Sequence, residues 1–182
     1  MTAIAYLVLT AGWICWFLPF PLNGWNTERP ERRDDQARWG LAFQVAAYLV
    51  LLSTGFSMPL PDVWRVVFSV IFFSLASILS WSSVRALGRH LRFDAVLVPQ
   101  HQLVRTGPYR ILRHPIYTSM LSLFLATGLI LSPLRILLLA ALLFIVGTEI
   151  RIRSEDKLLA ARFGDQFQEY KRTVSSYVPL LR

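Results

Sequence analysis

The 182 residues are 54% hydrophobic and only 16% charged, with a mean hydropathy of +0.46 and a formal net charge of +8. That balance excludes an average soluble domain, and the charges are segregated into arginine-rich windows between long uncharged ones, the layout of an integral membrane protein. Basic residues beside apolar spans point to anionic lipid headgroups and not to nucleic acid, and the single Cys15 excludes an intramolecular disulfide or a cysteine metal cage.

Residues 2 to 22 are almost wholly apolar, enough to cross a hydrocarbon core of about 30 Å at about 1.5 Å rise per residue. No Lys or Arg precedes the run and Pro19-Phe20-Pro21 is not a small-residue cleavage site, so it reads as a first span and not a cleaved leader. Trp13, Trp16 and Trp25 fit interface anchoring, with interior packing equally open to the first two. Residues 23 to 38 form a mixed-charge loop, expected to be solvated at the headgroups, and residues 39 to 58 a second span. Met58-Pro-Leu-Pro61 makes a turn, because two prolines fix the backbone and remove donors. Residues 63 to 84 give a third span, with Arg65 near its start expected to snorkel to the surface.

The long connection 85 to 114 is polar. Residues 115 to 132 and 134 to 150 are apolar again, and the Ser132-Pro133 junction is short enough to force an antiparallel helical hairpin. From Glu149 to Phe163 a helix is expected to continue out of the membrane. Gly164 stops it, Asp165 and Gln168 form a capping pattern for a short helix through Phe167, Tyr170 and Lys171, and Pro179 ends regular structure. The expected fold is therefore all-α, with about five transmembrane helices and a polar loop and tail. Three of the polar segments (23 to 38, 85 to 114 and 151 to 182) hold four, six and seven of the 19 Lys/Arg residues, leaving Arg65 and Arg135 for the other side. The positive-inside rule then puts the N-terminus outside and the C-terminus in the cytoplasm.

Soluble catalytic signatures are absent. His101 and His114 are too far apart in sequence for H-x-x-H or H-E-x-x-H, so no metal is expected, and there is no phosphate-binding glycine loop. Two concentrations of chemistry remain. The stretch from 93 to 117 gathers His101, His114, Tyr109 and Tyr117. Thr106-Gly-Pro108 is a turn, and His114-Pro115 opens a span whose unpaired amides are suited to an anion. The second concentration is Glu149, Arg151, Arg153, Glu155 and Asp156. Arg151 and Glu155 lie at i and i+4 and share a helix face, and charges at the mouth of a bundle tend to face a cavity.

These two blocks carry a resemblance. His101, Leu103, Val104, Gly107, Tyr109, Arg113, His114, Pro115 and Tyr117 fit H-x-L-V-x-x-G-x-Y-x-x-x-R-H-P-x-Y. Arg151, Glu155, Asp156, Leu159, Phe163, Gly164, Phe167 and Tyr170 fit R-x-x-x-E-[ED]-x-x-L-x-x-x-F-G-x-x-[YF]-x-x-Y, followed by Val178-Pro179. In this the last half of the chain resembles the isoprenylcysteine carboxyl methyltransferase family, which belongs with the membrane phospholipid methyltransferases. The resemblance implies S-adenosylmethionine as methyl donor, held outside any Rossmann fold by His101, Gln102, Leu103, Val104, Tyr109, His114, Pro115, Ile116, Tyr117 and Glu155. It implies that Arg151 binds the reacting end of the acceptor, with Arg151 and Glu155 as the catalytic pair. Asp94 replaces an amide side chain of the eukaryotic enzymes, and Asp156 replaces a second glutamate.

The expected organisation is then three substrate-access helices in residues 1 to 84 and a catalytic region in residues 85 to 182, built on the hairpin 115 to 150. The expected partners are membrane lipids and a lipophilic or lipidated acceptor, with an isoprenylcysteine-like carboxylate first among several lipids. Two rival classes are an NADPH-dependent sterol-type membrane reductase and a non-catalytic lipid-binding membrane protein.

Overall fold

The computed structural model describes residues 2–23, 32–53, 61–88, 91, 96–97 and 103–177. Within them the fold is helical: α1 (Thr2–Phe17), α2 (Pro19–Asn23), α3 (Ala37–Leu52), α4 (Val63–Leu87), α5 (Pro115–Leu131), α6 (Leu134–Phe163) and α7 (Asp165–Thr173). A 3-10 turn at Gly107–Arg110 precedes α5. Two residue pairs, β1 (Arg32–Arg33) and β2 (Val96–Leu97), form a minimal antiparallel ladder. The loop residues 24 to 31, the Met58-Pro-Leu part of the proline turn and Pro179 lie outside the described residues.

Two helical stretches, Ala3–Asn23 and Val63–Leu87, are long and apolar enough to cross a membrane. α3 and α5 are shorter apolar helices. Large apolar side chains such as Leu7, Ile14, Leu49, Val67, Ile78 and Leu142 are exposed around the bundle, as they are where the surrounding solvent is lipid. α3 starts at Ala37, two residues before the expected 39, and α4 runs three residues past 84; residues 54 to 58 of the expected second span lie outside the described residues.

α5 is the central post. Pro115 at its first turn costs nothing, because the missing N–H would have lacked an intrahelical partner. On one side α1 and α4 pack with it around Phe20, Phe73, Leu123 and Ile130. On the other, α3 and α6 pack around Phe124 and Phe144, stacked with centroids 4.6 Å apart under Tyr48. Inside lipid the hydrophobic effect supplies little net attraction between helices, so close packing and interhelical hydrogen bonds carry the association. Such bonds recur here. Trp13 and Trp16 donate to Thr127 and Ser119 of α5, at 3.1 and 3.0 Å, which resolves both tryptophans as interior residues. Ser69 and Ser80 donate to the Ala126 and Trp16 carbonyls.

Arg65 departs from expectation. It does not snorkel outward: its guanidinium turns inward, is 8% exposed, and donates to the Ser132 carbonyl at the end of α5, with Gly128 O at 3.5 Å. The last carbonyls of a helix have no intrahelical donors and carry partial negative charge, so they compete successfully with headgroup water for a nearby cation. Gly164 ends α6 with a positive φ and itself caps α7. Asp165 therefore sits inside the first turn of α7 and is not its cap, and its charge still suits the positive end of that helix.

α3 and α6 cross with their backbones in close contact. A Cβ built on Gly40 would lie 2.5 Å from the Gly147 carbonyl oxygen and 2.5 Å from Arg151 Cγ. One built on Gly147 would lie 2.5 Å from Gly40 O. Both contacts include backbone, so a side chain at either position must push the helices apart. Gly147→Val should lower stability by about 2 kcal/mol or more, read as a lower melting temperature in detergent. An unchanged melting temperature would contradict this crossing.

Candidate active site

Because α5 and α6 form a hairpin, the start of α5 and the end of the apolar part of α6 meet at one end of the bundle. Asn23 donates to Gly88 O there at 2.7 Å, and the N-terminal half of α3 meets Gly147 and Arg151. This end gathers the described members of both sequence blocks.

The centre is an ionic cluster. His114, 3% exposed, lies between two consecutive carboxylates of α6. Its Nε2 is 2.8 Å from Asp156 Oδ1, and its Nδ1 is 3.6 Å from Glu155 Oε2. Arg113 donates to Asp156 Oδ2 at 2.8 Å and through Nε to the Val174 carbonyl at 3.2 Å. Lys171 reaches Asp156 at 3.4 Å. Burial alone would lower the His114 pKa. The charge of Glu155 and the hydrogen bonds that His114 donates to both carboxylates outweigh burial and push it up to about 9. Burial would likewise raise Asp156, but His114 and Arg113 hold it down at about 2. Glu155 is also held below the usual carboxylate range, since the charge and hydrogen bond of His114 overcome the effect of burial. At neutral pH the site therefore holds an imidazolium between two carboxylates. Of those, Glu155 keeps 38% of its side chain exposed and Asp156 only 11%.

The tail closes over this cluster. Residues 112 and 175 bridge in parallel, and the Arg113 and His114 amides donate to Ser175 and Ser176 carbonyls at 2.8 and 3.0 Å. The Tyr117 and Thr118 amides bond to the His114 carbonyl. The tail and the first turn thus take the amides of Arg113, His114, Tyr117 and Thr118.

Tyr109, buried on the 3-10 turn, has its carbonyl held by the Tyr170 hydroxyl at 2.6 Å. Its phenol is pushed well above 10 by burial first and the Glu155 charge second, so it stays neutral. Arg105 lies over the Tyr170 ring at 5.3 Å. Leu103 packs on Phe167, Tyr170 and Val174, and Val104, like Ile116, is half-buried. Tyr117 is buried with its ring 5.8 Å from His114 and 5.3 Å from the Arg151 guanidinium. Arg151 donates to Gln44 Oε1 at 3.0 Å. Thus Tyr109, His114, Pro115, Tyr117, Arg151 and Glu155 come together, while His101, Gln102 and Asp94 lie outside the described residues. Sequence reasoning missed Gln44 of α3 and the tail carbonyls of 174 to 176. A lone amide in an apolar helix was a signal for the first; backbone acceptors leave none. Among the described residues no group of His, Cys, Asp and Glu is arranged to hold a metal ion.

Residues 64–166 match the phospholipid methyltransferase family model. The chain belongs to the phospholipid methyltransferase family. It is 37% identical over 79 residues to the cobalt-zinc-cadmium resistance protein CzcN of Cupriavidus metallidurans, covering 43% of this chain and 36% of that one. It is 33% identical over 81 residues to the protein-S-isoprenylcysteine O-methyltransferase of Schizosaccharomyces pombe, covering 44% and 34%. The nickel-cobalt-cadmium resistance protein NccN of Alcaligenes xylosoxydans xylosoxydans is 34% identical over 80 residues, covering 44% and 37%. The chain thus matches these relatives over about a third of their length. Family membership joins the apolar helices in marking a membrane protein, and it agrees with the resemblance carried by the two sequence blocks.

The His114 pKa makes stability depend on pH. A group raised in the folded state from about 6.5 to about 9 contributes stability that is complete below pH 6.5 and is lost as pH rises through 9. The melting temperature in detergent should therefore fall between pH 6.5 and 9, by the equivalent of a few kcal/mol. His114→Gln should flatten that slope, and an equally steep decline in the variant would refute the assignment. Asp156, already ionised above about 2, adds no slope in this window.

Proposed function

We propose that this protein is an S-adenosylmethionine-dependent integral membrane methyltransferase whose acceptor is lipophilic and presents a carboxylate, an isoprenylcysteine-like acid being the first candidate. One observation carries the reading: Tyr109, His114, Tyr117, Arg151 and Glu155, from two separate sequence blocks, converge at one end of an apolar helical bundle. The family match and the name of the Schizosaccharomyces pombe relative support the reaction class.

The residues fit such a donor. Glu155 is ionised and partly exposed, which suits a cationic ligand, and neutral aromatic rings stand beside it. S-adenosylmethionine, when bound, supplies an electrophilic methyl group. In this reading His101, Gln102, Leu103 and Val104 contact the donor, as the sequence block implies. Tyr109 and His114 to Tyr117 line its pocket, and Glu155 faces it. His114, buried behind Glu155, orients that carboxylate. Arg151 holds the acceptor carboxylate, which is ionised near neutral pH and needs no general base. What remains is alignment and exclusion of water.

The placement suits the supply problem, since the donor comes from water and the acceptor from the bilayer. The helix ends support five crossings, with Asn23, Ala37, Gly88, His114 and Arg151 at one end and Leu51, Arg65 and Ser132 at the other. The basic segments cluster at the first end, so the site is cytoplasmic and the N-terminus outside. Helices in residues 1 to 84 shape acceptor access, and residues 85 to 182 carry most of the donor site.

Binding of labelled S-adenosylmethionine to the detergent-solubilised protein tests this directly. The wild type should bind saturably, and Tyr109→Ala and Glu155→Gln should each weaken binding about ten-fold or more. Arg151→Ala should keep donor affinity within about three-fold while losing about a hundred-fold in turnover, since its contact is with the acceptor. No saturable binding by the wild type overturns the proposal, and equal loss of donor binding and turnover in Arg151→Ala removes the role given to that arginine.

A further inference from the structure

Gln44 is 3% exposed on α3, outside both sequence blocks and outside the span that matches the family model. Both ends of its amide are engaged. Nε2 donates to Thr148 Oγ1 at 3.0 Å, and Oε1 accepts from Arg151 at 3.0 Å. Arginine only donates, so the amide oxygen must be the end that faces Arg151, and Thr148, 1% exposed, receives the other end. The contact exists because Gly40 and Gly147 let α3 and α6 approach closely one turn away. The ring of Tyr117 lies 5.3 Å from the same guanidinium.

We infer that Gln44 is a positioning residue that aims Arg151 at the acceptor carboxylate, so that recognition of the free acid is set partly by α3. This rests on the acceptor role proposed for Arg151. The chemistry of an amide matters here. A carboxylate at this position would bind the guanidinium more strongly and cancel its charge. A neutral oxygen fixes the geometry without adding a second negative charge to that of Glu155, which already acts on the same guanidinium. Fixing a long side chain before binding also removes part of the ordering cost of complex formation.

The test compares equilibrium binding of N-acetyl-S-farnesylcysteine and of its methyl ester to wild type, Gln44→Met and Gln44→Glu in detergent, with S-adenosylmethionine binding as the control. The wild type should prefer the free acid over the ester. Gln44→Met, similar in volume, should reduce that preference about ten-fold, and Gln44→Glu should abolish it. Both should keep donor affinity within about two-fold. In turnover, Gln44→Met should raise the KM for the acid and leave kcat within about two-fold. Absence of any acid preference in the wild type overturns the inference, as does preference retained in both variants. Parallel loss of donor binding also overturns it, because that is the signature of a merely structural residue. The methyltransferase reading fails separately, by absence of saturable donor binding in the wild type, while the acid-to-ester ratio still decides the role of Gln44.

Discussion

The Asp156 carboxylate is the interaction on which the site end of this protein depends. It takes Arg113 on one oxygen and His114 on the other, with Lys171 nearby, and so ties the start of α5, the C-terminal part of α6 and α7 to one buried atom group. An isolated carboxylate in such surroundings would be costly, and one partner alone would leave a lone pair unsatisfied. Here the charges are matched and the remaining Arg113 donor reaches a tail carbonyl. The cluster is self-consistent only when all three elements are in place. Two sequence blocks whose bonded residues are 42 and 43 positions apart can therefore act as one surface.

The cluster also divides labour between adjacent carboxylates. Asp156 is turned into the protein and spent on structure. Glu155, one residue earlier and rotated about 100° around the helix, shares His114 with it but keeps an exposed face. The same imidazolium thus braces one acid and orients the other. This explains why both are held ionised despite burial, and why a ligand meeting Glu155 meets a charge already fixed in direction.

Much of the helical plan was legible in the sequence because hydropathy and proline act locally. Pro115, Ser132-Pro133 and Gly164 set boundaries that packing does not move. Arg65 was not legible. A long cationic chain near a span end can reach headgroups or a helix terminus, and only the position of the α5 carbonyls decides between them. Nor were the partners of the Arg113 and His114 amides legible: they are the backbone carbonyls of 175 and 176, which no side-chain pattern announces. Of the site, the charged members could be picked out by type and spacing. Which acid would be buried, and that α3 would contribute, depended on tertiary contacts.

That contribution of α3 follows from a packing constraint and not from a catalytic motif. Helices in lipid gain little from burying apolar surface against each other, so they associate where backbones can approach closely. Gly40 and Gly147 supply such a place, and the approach brings a polar side chain within reach of Thr148 and Arg151. Once there, the amide must be satisfied, because an unpaired amide in an apolar setting is expensive. The cheapest partners are the hydroxyl and guanidinium one turn along α6. The same two glycines that bring α3 and α6 together therefore also fix an edge of the arginine, and helix packing and the orientation of Arg151 are coupled through a single crossing.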